Sequence, residues 1–169
     1  MIEQAVLGDA LLQGAKEVFE TMVFMNLEES SQLDPSIDGR ALLGSIAFKG
    51  NLEGSLHICC NALCAQAIAV NMLGIDSAEK INEEETCDAM CEVTNMVMGC
   101  FKSKLADAVG DLEVSIPSVV RGRELKNTLG KGASKILVKV NIADEYVGEL
   151  SLLYRNSPEQ PSDKPGIDK

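Results

Sequence analysis

The sequence has no tryptophan, a single histidine and only 4% aromatic residues. Its core must therefore be aliphatic, and no aromatic platform for stacking bases is available. No apolar run approaches the ~18–20 residues that a membrane-spanning helix requires. Positive charge is scarce: 15 Lys and Arg stand against 26 Asp and Glu, for a formal net charge of -11. Nucleic acids and anionic membrane surfaces both demand a basic footprint, so neither is expected as a partner. Residues 1–13 hold Glu3 and Asp9 and no lysine or arginine, unlike the basic start of a secretory signal. A cytoplasmic protein is expected.

The six cysteines include no Cys-x-x-Cys pair and His57 is the single histidine, so the common zinc spacings are missing, although Cys87 and Cys91, four apart, could face the same way on a helix. Free, small buried thiols are expected rather than a disulfide framework, which belongs to short secreted chains. What remains is ordinary globular material. Hydrophobic residues make up 46% and charged residues 24% of 169 residues, enough for one domain with one core.

Apolar residues at Leu11, Leu12, Ala15, Val18, Phe19, Met22 and Val23 predict a helix over 8–26, followed by a breaker segment over 28–40 with Asp34-Pro35 and Asp38-Gly39. Extended runs at 42–48 and 55–60 flank Lys49-Gly50-Asn51-Leu52-Glu53-Gly54 and read as a hairpin. An alanine-rich helix over 62–73 stops at Gly74. The longest helix starts at Asn82, a capping residue followed by three glutamates, and ends near Val109 before Gly110. Short extended segments at 113–116 and 117–121 follow. Alternation at Ile136, Val138, Val140 and Ile142 marks a strand whose hairpin partner spans 147–154. Glu53-Gly54-Ser55-Leu56 and Gly148-Glu149-Leu150-Ser151 occupy corresponding places after the two long helices, which suggests duplicated halves about a pseudo-twofold. The expected architecture is a single α/β (α+β) domain over 1–155, with about six mainly antiparallel strands and two long helices packed on the sheet. The tail over 156–169 holds three of the five prolines and is expected to be disordered.

On the long helix, at ~100° per residue, Asp88, Glu92, Asn95, Gly99 and Lys102 fall within about 40° of one line. Met90, Val93, Val97, Cys100, Phe101 and Ala108 fall on the opposite side. A polar stripe alone is an ordinary solvated face. Asn95 and Gly99, however, each cost helix stability, up to ~1 kcal/mol for the glycine, and together they suggest a surface kept open for another backbone. Glu92 can pair with a cation and Asn95 can hold a water through donor and acceptor. No serine elbow, phosphate-binding glycine loop or Cys-His pair accompanies them, so the face reads as one that completes another protein's active site.

Asp88-x3-Glu92-x2-Asn95-x21-Pro117 resembles the signature Asp/Ser-x3-Glu-x2-Asn-x21-Pro of the CheC, CheX and FliY phosphatase family. Gly50-Asn51-Leu52-Glu53-Gly54-Ser55-Leu56 and Pro117-Ser118-Val119-Val120-Arg121-Gly122-Arg123 resemble CheX segments in the same order, and similarity extends over about residues 5–154. CheC-type members carry the motif in both halves, CheX-type members only in the second. The corresponding stretch of the first helix reads Glu17-Val18-Phe19-Glu20, with glutamate where asparagine is required, so one active face and a CheX-type chain in the CheC-like fold are expected. FliY-like and FliM-like switch proteins share the fold but normally add further domains.

The resemblance implies a phosphatase acting on the aspartyl phosphate of a CheY-like response regulator in chemotaxis. Glu92 would anchor to the regulator's lysine and Asn95 would orient the attacking water. Asp88, Gly99 and Pro117 would support that face. It implies no cofactor in this chain, Mg²⁺ in the receiver domain, and a homodimer. The contrasting expectations are a non-catalytic switch or adaptor module that binds a receiver, and a thiol or metal sensor resting on the cysteines alone.

Overall fold

The alternating apolar residues of the hairpin segments pair into a seven-stranded sheet, and the two long amphipathic helices cover one face of it. The computed structural model describes residues 2–32, 35–123, 125 and 132–157. In chain order these form α1 (Gln4–Val18), β1 (Leu27–Glu29), β2 (Ala41–Lys49), β3 (Leu52–Asn61), α2 (Ala62–Leu73), α3 (Glu83–Val109), β4 (Glu113–Val114), β5 (Ser118–Gly122), β6 (Ser134–Ile142) and β7 (Tyr146–Asn156). The strand order is β1-β6-β7-β3-β2-β4, with β5 also on β2. Every pairing among the described residues is antiparallel.

This order is palindromic. β3 and β7 pair at the centre, β2 and β6 flank them, and the short strand after each long helix crosses to the far side, β1 onto β6 and β4 onto β2. His57 lies opposite Ser151 in the central pair, one position from its middle, Leu56 opposite Leu152. α1 lies over β6 and β7, whereas α3 lies over β2 and β3. The pseudo-twofold suggested by the hairpins thus extends to the six-strand order, to which β5 is added on one side.

Four local expectations need correction. The first helix runs from Gln4 to Val18 and continues as a wider π turn, Phe19–Val23, instead of spanning 8–26. Glu28 and Glu29, at the start of the segment read as a breaker, instead belong with Leu27 to a seventh strand, pairing with Asn141, Val140 and Ile142. The first hairpin turns at Gly50-Asn51 alone, and Leu52 and Glu53 already pair with Asn156 and Arg155. Ala108, placed on the apolar face, is exposed, while Leu105 and Val109 are buried. β7 extends through Asn156, and the Ser157 N–H donates to the Asn51 carbonyl at 3.2 Å. Residues 158–169 of the expected tail lie outside the described residues.

Strand alternation separates two chemistries. Leu56, Ile58 and Cys60 of β3 face the helices in the main core, whereas Cys59 packs on the other side with Ala41 and Leu43. That second side also carries His57, whose ring lies between the Ser45 hydroxyl at 2.9 Å and the Ser55 hydroxyl at 2.7 Å. All six cysteines are free thiols.

Candidate functional site

Both ends of α3 are pinned, which fixes the rotation of the stripe. At the start, the Asn82 carboxamide oxygen accepts from the Glu85 N–H at 2.8 Å, capping a free amide, and three glutamates complement the positive end of the helix. Glu83 there pairs with Arg121 of β5 and lies 3.7 Å from Arg40. At the end, the Asn51 side chain donates to the Val109 carbonyl at 3.0 Å, and Lys102 pairs with Asp111 at 2.8 Å. That ammonium holds the Asp111 carboxyl below its ordinary range, mainly through the hydrogen bond.

In the middle, α3 lies close against the sheet. A Cβ added to Gly44 of β2 would fall 2.2 Å from the Thr94 hydroxyl, which itself donates to the Met90 carbonyl at 2.7 Å. Thr94 is fully buried, and Val93 and Val97 beside it fill the core. Packing these residues inward forces the stripe outward. Asp88, Glu92, Asn95 and Gly99 are all exposed on one face of α3, as their spacing required.

Pro117 joins them from a different element. It is half-buried just ahead of β5, and its carbonyl accepts a weak hydrogen bond from the Cys91 thiol at 3.9 Å. Cys91 adjoins Glu92 in the chain, so Pro117 borders the stripe from the sheet side. Burial, followed by the Asp88 and Cys87 charges, pushes the Cys91 thiol above its ordinary pKa, which keeps it a neutral donor. Cys91, Thr94 and Gly44 were not singled out from sequence. Their contacts join separate elements, and no local spacing signals them.

Among the described residues, the face carries no nucleophile with an attendant base. His57 is on the opposite side of the sheet, where burial and then the Lys135 charge lower its pKa from 6.5 to about 4. It is a neutral structural residue joined to two serines. Among the described residues no cluster of three or more His, Cys, Asp and Glu could hold a metal ion. The face therefore offers a carboxylate, an amide and an uncovered helix backbone, and these can anchor a cation and position a water.

The repeat shows what the first half carries in the same place. α1 and α3 cross where a Cβ on Gly14 would lie 3.4 Å from the Cys100 Cβ and from the Phe101 nitrogen. Aligning Gly14 with Cys100 also aligns the starts of β1 and β4. Leu7, Leu11 and Ala15 then match the equally buried Val93, Val97 and Phe101. Val6, Asp9 and Gln13 match the exposed Glu92, Asn95 and Gly99. The structural counterpart of the motif is thus Val6-x2-Asp9. The pairing with Glu17-Val18-Phe19-Glu20 is corrected, because it would set those residues beyond the helix crossing.

Comparison with known proteins is consistent with this layout. The family described as chemotaxis phosphatase CheX matches residues 42–141. No curated protein matches the chain. Among solved structures, the chemotaxis protein CheX from Vibrio vulnificus superposes with a TM-score of 0.76 at 24% identity, covering 92% of this chain and all of that one. A CheC-like superfamily protein from Shewanella sp. PV-4 gives 0.75 at 24% identity, with 91% and 100% covered. A CheX–CheY–BeF3–Mg²⁺ complex from Borrelia burgdorferi gives 0.65 at 21% identity, with 88% and 97% covered. These likenesses establish the fold.

Proposed function

The chain belongs to the chemotaxis phosphatase CheX family, and from that membership we propose that it hydrolyses the aspartyl phosphate of a CheY-like receiver domain, using Glu92 and Asn95. The observation that carries the reading is the exposure of this pair side by side on a helix fixed at both ends and in its middle. Glu92 pairs with a lysine of the receiver and sets the docking register. Asn95 reaches beside the acyl phosphate, accepts a hydrogen bond from a water and aligns its oxygen opposite the aspartyl oxygen. Water oxygen then bonds to phosphorus as the phosphorus–aspartyl bond breaks, releasing inorganic phosphate and a free carboxylate. Such a transfer needs positioning and charge stabilisation more than covalent catalysis. The receiver's own Mg²⁺, present in the Borrelia complex, supplies charge neutralisation. Asp88 and Pro117 border the face and hold its shape.

The test is loss of phosphate from a phosphorylated receiver domain, with and without the protein. Asn95→Ala should return the rate to the receiver's own decay, a loss of about 10²-fold or more, the usual size for removing one preorganised group. Glu92→Lys should weaken docking through like-charge repulsion. Full activity in Asn95→Ala would remove its assigned role. A wild-type protein that binds the receiver without accelerating decay would instead establish a non-catalytic module.

A further inference from the structure

Beside the motif helix runs a groove of about 640 Å³ that the phosphate chemistry leaves unused. Its walls include Val18 at the end of α1, Met22 in the π turn that follows, and Met96, Gly99 and Cys100 on α3. Gly99 belongs to both the groove and the catalytic stripe. A Cβ built on it meets nothing within 4 Å, and its backbone is not left-handed. Neither packing nor geometry among the described residues calls for glycine there, and glycine weakens a helix interior.

The repeat supplies an internal control. A second groove beside α1 is lined by Ala5, Val6, Asp9 and Gln13 together with Lys104 and Leu105. There the position equivalent to Gly99 is Gln13. The open floor thus accompanies Glu92 and Asn95 and is missing from the half without them.

We propose that the groove is a second docking contact for the receiver, taking an apolar side chain from the rim of its phosphorylation site while the receiver backbone passes over Gly99. The inference rests on the phosphatase reading above. Gly99 stands one turn from Asn95, about 6 Å along the helix axis, so any surface engaged at Asn95 overhangs it. Met22 is 50% exposed, and with Met96 it forms adaptable apolar walls suited to a side chain of that kind. The lining also carries charge, since Lys104 pairs with Glu17 at 3.3 Å in the same groove.

Steady-state dephosphorylation of a phosphorylated receiver by Gly99→Gln, Met22→Ser and Asn95→Ala variants of the full chain tests this. Gly99→Gln copies the first half; it should raise KM about tenfold with kcat little changed, yet raise Tm, because glutamine is the better helix former. Met22→Ser should raise KM by a few-fold, and Asn95→Ala should lower kcat with KM retained. If both groove variants keep the wild-type KM while the wild type is active, the groove contact is overturned and the phosphatase reading stands. Unchanged KM together with altered self-association in sedimentation would assign the groove to a second copy and likewise overturn it. A wild type with no effect on the decay removes the phosphatase reading, and this inference with it.

Discussion

On α3, the exposed positions one and two turns before the helix crossing hold Asn95 and Glu92; on α1 the same positions hold Asp9 and Val6. The backbones that carry them are equivalent, and both helices bury the alternate residues in one core. What differs is the chemistry turned outward. On the proposed function, architecture sets where an active face can lie, and the side chains at these positions set which half carries it. The clearest way to break this comparison is to treat both sites alike in the phosphatase assay. Asn95→Ala should lose about 10²-fold in rate, and Asp9→Ala should stay within about twofold of wild type. Equal losses would mean that the two faces act together and that the halves are not functionally distinct.

The central pair of strands offers a second contrast, since His57 and Ser151 face each other across it but only His57 titrates. Its folded pKa of about 4 lies below the ordinary 6.5. The unfolded chain therefore binds the proton first as pH falls, and stability present above pH 6.5 is lost progressively down to about pH 4. At 1.36 kcal/mol per unit the loss is about 3 kcal/mol. His57→Ser makes the two facing positions alike and should flatten the dependence of urea-unfolding free energy on pH across that window. A slope that persists in the variant would assign the acid sensitivity to other groups.

A third contrast lies under the helices, where the two halves exchange large and small residues. On α3 the residue over the sheet is Thr94, and the strand beneath supplies Gly44; on α1 it is Gly8, and the strand supplies Ile136. Because the Thr94 hydroxyl is tied to the Met90 carbonyl, it cannot swing away from an added methyl 2.2 Å distant. Gly44→Ala should cost about 2 kcal/mol by overpacking and shift the stripe with the helix, lowering phosphatase activity as well. Wild-type stability in this variant would show that α3 is not seated on Gly44.

These contrasts also show what could be read before the fold was seen. The limits of α2 and α3 were legible because Gly74, Asn82 and Gly110 are local stop and start signals. The exposed stripe of Asp88, Glu92, Asn95 and Gly99 was legible because its spacing lies within one helix. β1 was not, since Leu27-Glu28-Glu29 has no alternation of its own and becomes a strand only by pairing with β6. The π turn at Phe19–Val23 was hidden because its apolar residues continue a helical period. Cys91 against Pro117, Glu83 with Arg121, and Gly44 under Thr94 all depend on tertiary approach. The duplicated hairpins hinted at the repeat, but its register along the helices needed the crossing of Gly14 and Cys100.

The smallest effect tests the same exchange from the other side. Gly8 lies inside α1 with a helical backbone, and a Cβ on it would meet only the Ile136 Cγ2 at 3.7 Å, an ordinary contact. Replacing this glycine removes backbone freedom from the unfolded chain and adds apolar contact without strain. Gly8→Ala should therefore stabilise the protein by up to about 1 kcal/mol, opposite in sign to Gly44→Ala, with phosphatase activity unchanged because α1 carries no catalytic pair. Urea denaturation of the two variants side by side measures both signs. If Gly8→Ala also destabilises, α1 is seated as tightly as α3, and the size exchange does not distinguish the halves. If the signs are opposite, close seating belongs to the half whose helix must hold Glu92 and Asn95 in register.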